Sequence, residues 1–181
     1  MRTPAEVSVT RTSSLSSRPA IDPAHFRRTM GRFTSGVTVI TTVDEGRVHG
    51  MTANAFLSVS IDPPLVLISL AKESRMAALL PTTGRYGVNV LAEHQRTHSQ
   101  HFAGRPVPGL APEFQFTDEH AFLPGSMAQI GCDLVSTHEA GDHVLHIGHV
   151  THLAHSDGEP LVFFTGAYRA LYSDGDDNRA S

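Results

Sequence analysis

The sequence is poor in cysteine, with Cys132 as the single example among 181 residues. One thiol excludes an intramolecular disulfide, a Cys-x-x-Cys redox motif and a zinc site built from cysteines. This usage agrees with a reducing compartment. We therefore expect a cytoplasmic protein.

Long apolar runs and basic runs are also missing. No stretch approaches the roughly 18 consecutive apolar residues that a membrane-spanning helix needs. The formal net charge is −4, and no cluster of lysine and arginine marks a surface for phosphates. We expect neither a membrane nor a nucleic acid as partner.

The common sequence motifs of catalysis are missing as well. There is no GxGxxG or Walker-type loop to hold a nucleotide phosphate. There is no GxSxG turn of an α/β-hydrolase and no HExxH zinc motif. Neither a nucleophile with its base nor a metal centre is indicated by these patterns.

What is present suits one domain. The chain is 40% hydrophobic, and 11 prolines and 15 glycines divide it into many short elements. Residues 1–20 are rich in serine and threonine and resemble either a transit peptide or, as we expect, a disordered arm. We predict the folded domain at residues 21–172 and a frayed tail at 173–181.

Short strands dominate this domain. A β-branched run predicts a strand over 37–43, and a run that is apolar except for Ser69 predicts one over 65–70. Further strands are predicted over 47–54, 86–91, 128–137, 143–154 and 161–164, between turn residues. Helical crossovers between most strands, which a doubly wound sheet requires, are missing. The pattern predicts a mainly β fold with a few short helices, a closed or nearly closed barrel.

Three short helices are predicted beside the strands. Asp22-Pro23 is typical of a helix start, and we expect this helix to end at Gly36. Its stripe of Phe26, Met30 and Phe33 is expected in the core. The second helix, 73–80, should stop at Pro81, and the third covers 93–102.

Five of the twelve histidines follow one another at a spacing of three, namely His143, His146, His149, His152 and His155. On a helix they would form one stripe and suggest a metal site. On a strand, side chains alternate between faces, so His143, His149 and His155 would share a face at about 20 Å from one to the next. The apolar residues between them favour a strand, and we predict no metal.

The most informative segment is GMTANAFLSVSIDPPLVLISLAKESR, residues 50–75. The small residues around Asn54 leave room for a flat ligand, and the amide offers a donor and an acceptor to a heterocycle. Lys72, Ser74 and Arg75 lie at a predicted helix start, where a phosphate is well placed. The simpler interpretation is a hairpin edge followed by a capped surface helix.

The chain resembles the short-chain flavin reductases of two-component flavin-dependent monooxygenases, the flavin reductase-like group of the FMN-binding split barrel. The resemblance covers about residues 21–171. Six segments in the family's order carry it: PAHFRRTMGRFTSGVTVITT, GMTANAFLSVSIDPPLVLISL, GVNVL, QHFAG, GDHVLHIGHV and EPLVFFTGAYRAL.

This resemblance implies a split β-barrel with Greek-key order and a homodimer that holds flavin near its interface. It implies an enzyme in which NADH or NADPH reduces FMN or FAD by hydride transfer from nicotinamide C4 to flavin N5. The reduced flavin would then diffuse to a separate oxygenase.

The resemblance also implies roles for individual residues. The isoalloxazine and ribityl region would be lined by Thr52, Ala53, Asn54, Ala55, Phe56 and Leu57, the phosphate held by Lys72, Ser74 and Arg75, and the far side of the flavin formed by Phe102, Ala103 and Arg105. The nicotinamide face would comprise His143, which would orient the ring or handle a proton, together with Phe164, Gly166, Tyr168 and Arg169. Ala55 stands where many members carry serine, so one hydrogen bond to the flavin is in doubt.

Three alternatives remain open on the sequence. One is a split-barrel oxidase with bound FMN, similar to pyridoxamine-phosphate oxidase. Another is a flavin-binding protein without catalysis, and the third is a histidine metal binder. Tyr168 fits a barrel-closing aromatic as well as a site residue, and His143 fits a solvated turn histidine beside Asp142.

Overall fold

A computed structural model of the chain describes residues 20–171. The predicted C-terminal tail and all but the last residue of the predicted N-terminal arm lie outside this range. The helices are α1 (Pro23–Met30), α2 (Arg75–Thr83) and α3 (Arg96–Phe102), with a 3-10 turn at Glu93–Gln95 before α3. The strands are β1 (Ser35–Gly36), β2 (Thr38–Asp44), β3 (Arg47–Ala53), β4 (Phe56–Ile61), β5 (Pro64–Ala71), β6 (Arg85–Val90), β7 (Gln115–Thr117), β8 (His120–Phe122), β9 (Ala128–Ala140), β10 (His143–His155), β11 (Val162–Phe164) and β12 (Ala167–Arg169).

Seven strands form one antiparallel sheet in the order β3-β2-β6-β9-β10-β5-β4. β3 and β4 are neighbours in the chain, joined through Asn54 and Ala55, yet they lie at opposite ends of this order. The barrel is therefore split between them, and within residues 20–171 no strand pairs with the outer edge of β3. The predicted mainly β, split-barrel fold is confirmed.

Two apolar clusters lie on the two faces of β2. Ile40 belongs to a cluster with Ile68, Leu80 and Tyr86. Its neighbour Val39 points the other way, into a second cluster with Leu91, Leu123 and Leu161. Because both faces are covered, residues 38–42 are buried without alternation.

The first helix is shorter than predicted and its apolar stripe is not in the core of this chain. α1 ends at Met30, since the carbonyl of Gly31 accepts a hydrogen bond from the Thr165 amide at 2.9 Å instead of continuing the helix. Phe26, Met30 and Phe33 are 53%, 53% and 82% exposed. Their placement in the core was wrong, because periodicity reports an apolar face but not what covers it.

The stop predicted at Pro81 was also wrong. Pro81 lies inside α2, which continues to Thr83 and ends at Gly84 in the left-handed conformation. The helix loses the bond that the Pro81 amide would have made. Leu80, fully buried beside it, fixes this turn against the barrel core.

Five strands were not predicted, namely β1, β4, β7, β8 and β12. β4 has an alternating sequence, FLSVSI, but its odd-numbered apolar residues face outwards, with Leu57 51%, Val59 46% and Ile61 92% exposed. β1 has two residues and the other three have three each. Strands of that length carry little periodic signal.

A bulge divides the histidine-rich strand β10. Val150 pairs with Cys132 and His152 with Gly131, so Thr151 is an extra residue that inverts the alternation beyond it. The prediction that His155 shares a face with His143 and His149 was therefore wrong. His146 is fully buried, whereas His155 is exposed.

Candidate functional site

A cavity of about 600 Å³ lies at the free edge of β3. β3 supplies its floor and the ends of α2 and α3 supply its walls. Its lining comprises His49, Gly50, Met51, Thr52, Arg75, Met76, Phe102, Ala103 and Gly104. An edge strand carries backbone N–H and C=O groups without sheet partners, so this cavity combines a polar edge with apolar walls.

Arg75 gives this cavity a cationic side chain, and His49 lies against it. The His49 Nε2 atom lies 3.5 Å from a guanidinium nitrogen of Arg75 and 4.0 Å from a carboxylate oxygen of Asp44. The lining contains no acidic side chain. This end of the site is therefore suited to an anion.

The ring of Phe102 packs against Gly50. A Cβ atom at Gly50 would come within 2.5 Å of the Phe102 ring. The same ring contacts Phe114 with centroids 6.2 Å apart. Because Gly50 has no side chain, Phe102 at the end of α3 can pack closely against β3.

A second cavity of about 190 Å³ lies beside the first. Its lining has no charged side chain and consists of Val37, Thr52, Ala53, Asn54, Ser99, Ala103, Phe163 and Tyr168. Thr52 and Ala103 line both cavities. One elongated ligand can therefore extend from the uncharged cavity to the cationic one.

Hydrogen bonds fix the side chains between the cavities. The Thr52 hydroxyl donates to the Ser99 carbonyl at 2.7 Å, and the Ser99 and Tyr168 hydroxyls lie 2.8 Å apart. The Arg96 guanidinium lies 5.1 Å from the centre of the Tyr168 ring, and Phe163 contacts that ring edge-on. Strand β3, helix α3 and strand β12 are thereby joined at the site.

The structure gathers some of the predicted site residues and places others apart. Those lining one or both cavities are Thr52, Ala53, Asn54, Arg75, Phe102, Ala103 and Tyr168. Those lining neither are Ala55, Phe56, Leu57, Lys72, Ser74, Arg105, His143, Phe164, Gly166 and Arg169. The roles assigned to both groups stay predictions.

Three of the outlying residues have partners of their own. The Lys72 ammonium lies 2.7 Å from a Glu139 carboxylate oxygen, and Ser74 caps α2 by accepting from the Ala77 amide. His143 Nδ1 lies 2.8 Å from Asp142. These hydrogen bonds from Lys72 and His143 hold the pKa values of Glu139 and Asp142 below their ordinary ranges.

The only cysteine is not poised for chemistry. Cys132 is fully buried, and burial raises the pKa of its thiol to about 12. Its neighbour across the sheet, Tyr86, also has its phenol pKa raised by burial. Neither group lines a cavity at β3, so the site offers no activated thiol.

Sequence reasoning missed several lining residues, namely Val37, His49, Gly50, Met51, Met76, Ser99, Phe163 and Gly104. His49, Gly50 and Met51 directly precede Thr52 on the same strand, which was an available signal. Ser99 gave none, since its role depends on contacts with Thr52 and Tyr168, which are distant in the chain.

Among residues 20–171, no group of three or more histidine, cysteine, aspartate or glutamate side chains is arranged to hold a metal ion. In the same range no helix has both the length and the apolar character needed to cross a bilayer.

Comparisons with known proteins agree with this architecture. The flavin reductase like domain matches residues 30–172. An NADH-dependent flavin reductase from a Rhodococcus species is 46% identical, over 84% of this chain and 89% of that protein. The flavin-dependent monooxygenase reductase subunit HsaB from Rhodococcus jostii is 39% identical, over 86% of this chain and 81% of its own length.

Solved structures give the same result. Flavin reductase PheA2 superposes with a TM-score of 0.82 at 41% identity, covering 84% of this chain and all of its own (100%). The NADH:FAD oxidoreductase SgcE6 from Streptomyces globisporus has a TM-score of 0.78 at 31% identity, covering 87% of this chain and 99% of its own. The chain therefore belongs to the flavin reductase-like family.

Proposed function

We propose that this protein is an NADH-dependent flavin reductase that supplies reduced FMN or FAD to a separate monooxygenase. The observation that carries the proposal is the pair of joined cavities at the split of the barrel, one uncharged and one cationic. The names of its relatives support the proposal, including an NADH-dependent flavin reductase and an FMN reductase (NADH).

The lining residues fit a flavin. A planar, uncharged ring suits the smaller cavity, where Ala53 and Val37 leave flat apolar surface and Asn54 offers an amide. A phosphate suits the larger cavity, where Arg75 and His49 lie. Thr52 and Ala103, which line both, would contact the connecting chain.

Hydride transfer between nicotinamide and flavin is chemistry that the two bound cofactors supply themselves. The chain's residues have to bind, orient and shield the reacting rings. Tyr168 is held by the Ser99 hydroxyl and by Arg96, so its ring is a fixed wall. No nucleophile is required, in keeping with the inert Cys132.

We propose a separate oxygenase as the recipient of the reduced flavin, reached by diffusion. Relatives named as the reductase subunit or component of a monooxygenase support this, among them HsaB from Rhodococcus jostii and the 4-hydroxyphenylacetate 3-monooxygenase reductase component from Thermus thermophilus. The described cavities are taken up by the proposed flavin, so the substrate to be oxygenated would bind to the partner. We also propose a cytoplasmic location, where NADH is available.

We propose that two copies associate through the apolar side chains that this chain leaves exposed. Those on α1 and the loop after it are Phe26, Met30 and Phe33, and those on β4 are Leu57, Val59 and Ile61. Exposed apolar groups in such numbers are typical of an interface. β4 begins two residues after Asn54, so the partner would lie close to the smaller cavity. Sedimentation velocity should give twice the chain mass of 19.5 kDa, and a monomer would contradict this part.

The function is tested by following NADH at 340 nm with purified protein and added FMN, FAD or neither. We expect oxidation to rise with added flavin and to saturate. Absence of flavin-dependent oxidation with both NADH and NADPH would refute the reductase. Oxidation of an amine by tightly retained FMN would point instead to a split-barrel oxidase.

A further inference from the structure

Only one of the three side chains expected at the flavin phosphate lines the larger cavity. Lys72 is paired with Glu139 at 2.7 Å, and Ser74 caps α2. Arg75 alone faces the cavity. An exposed arginine on its own is a weak and poorly directed anion ligand, because water screens it and its side chain is long.

His49 is the second basic residue on the lining of the larger cavity. It lies on β3, across the cavity wall from α2, with Nε2 3.5 Å from the Arg75 guanidinium. Its side chain is 17% exposed and Asp44 lies 4.0 Å from the same nitrogen. The ring is therefore held by the barrel and presents a defined donor or acceptor at one position, unlike a surface lysine.

The composition of the lining favours the same pair. Among the described residues that line the larger cavity, His49 and Arg75 are the only basic ones and none is acidic. The two come from different elements, β3 and α2, that meet at the split of the barrel. An anion beside the pair would be contacted from both elements.

We propose that His49 is a flavin phosphate ligand, which together with Arg75 makes the protein discriminate phosphorylated flavins from riboflavin. The inference rests on the proposed flavin reductase function and refines it. Lys72 is then a structural partner of Glu139 that ties the start of α2 to the end of β9, rather than a phosphate ligand.

The test is the affinity of flavin-free protein for FMN and for riboflavin, measured by calorimetry or flavin fluorescence. Riboflavin has the same ring and ribityl chain but no phosphate. His49→Phe keeps a ring and removes both nitrogens. We expect FMN affinity to fall by about tenfold, as for a lost hydrogen bond to a charged group, with riboflavin affinity unchanged.

Two further variants complete the design. His49→Gln retains an N–H donor and should recover part of the FMN affinity. His155→Phe changes an exposed histidine at the far end of β10 from His143 and should leave both flavins unaffected. Lys72→Met should change the FMN-to-riboflavin ratio less than His49→Phe does.

Three results would overturn the proposal. An equal loss of both flavins in His49→Phe would mean that the ring only supports the fold, and riboflavin binding in each variant reports that fold directly. A ratio altered by Lys72→Met but not by His49→Phe would assign the phosphate to the lysine. If the unaltered protein bound neither flavin, the proposed function itself would fail, which is a distinct outcome.

Discussion

At the scale of single residues, the site is shaped by the close packing of the Phe102 ring against Gly50. We expect Gly50→Ala to push the Phe102 ring away, because a Cβ atom would lie only 2.5 Å from it. The cost should be about 1–3 kcal/mol in the free energy of unfolding, with weaker flavin binding. Urea unfolding and a flavin titration measure the two effects.

Gly36→Ala is the matched control for this substitution. Gly36 is also in a strand, and nothing lies within 4 Å of an added Cβ there. Gly36→Ala should change neither the free energy of unfolding nor the flavin affinity appreciably. Equal behaviour of the two variants would show that the contact with Phe102 does not set the cavity wall.

A second residue prediction concerns His146, which is fully buried with neither ring nitrogen hydrogen-bonded. Burial lowers its pKa from the ordinary value of 6.5. The unfolded chain therefore takes up a proton at this residue more readily, and the stability due to neutral His146 is present above pH 6.5 and lost as the pH falls below it.

His146→Leu should remove this dependence. Urea unfolding at a series of pH values from neutral to mildly acidic should show a smaller loss of stability in the variant than in the unaltered protein. His155→Leu, at an exposed position, should retain the full dependence. An unchanged slope in His146→Leu would mean that other groups cause the acid sensitivity.

The residue scale also shows which predicted site residues the structure brings together. Thr52, Asn54 and Arg75 all come from the one segment, residues 50–75, that the sequence singled out, and all three line the cavities; their roles stay predictions. His49 lies only three residues before Thr52 and was passed over, since nothing local indicates that α2 will bring Arg75 against it.

At the scale of elements, β3, α3 and β12 are joined at the site by two hydrogen bonds of Ser99. Ser99 on α3 accepts from Thr52 on β3 through its carbonyl and bonds Tyr168 on β12 through its hydroxyl. The two contacts use different atoms of Ser99. Removing the hydroxyl therefore frees Tyr168 while leaving α3 attached to β3.

We expect Ser99→Ala and Tyr168→Phe to have similar effects, each costing about 1 kcal/mol for a lost hydrogen bond. Each should also weaken cofactor binding by releasing one wall of the smaller cavity. The double variant should be little worse than either single one, because both remove the same bond. Unfolding free energies and the KM values for NADH and flavin measure this coupling.

Thr97→Ala provides the control, since Thr97 is an exposed hydroxyl on the same helix. It should leave stability and KM unaltered. Fully additive losses in the double variant of Ser99 and Tyr168 would contradict the shared bond.

Element boundaries show the limits of sequence reasoning most clearly. Six of the seven strands of the main sheet lie at or near their predicted ranges, whereas β4, whose odd-numbered apolar residues face outwards, was not predicted. α1 was predicted too long because the contact that ends it, from Thr165, is made across the fold. α2 passes Pro81 because burial of Leu80 outweighs one missing bond.

At the scale of the whole molecule, the split of the barrel creates the site. β3 and β4 are consecutive in the chain yet end at opposite edges of the sheet, so the strand that carries Thr52 keeps a free edge. The order of motifs along the chain was enough to predict this fold. The apolar side chains on α1 and β4 are exposed in a single chain. We propose that a second copy covers them in a dimer.

We propose that this protein passes electrons from NADH to a flavin that then leaves the site. The most direct test mixes flavin-free protein with FMN in large molar excess over the protein and NADH at least equimolar with that FMN, without oxygen, and follows flavin absorbance near 450 nm. We predict that all of the FMN is bleached, over many turnovers of each protein molecule. Bleaching that stops at one flavin per site, or no bleaching at all, would contradict the account.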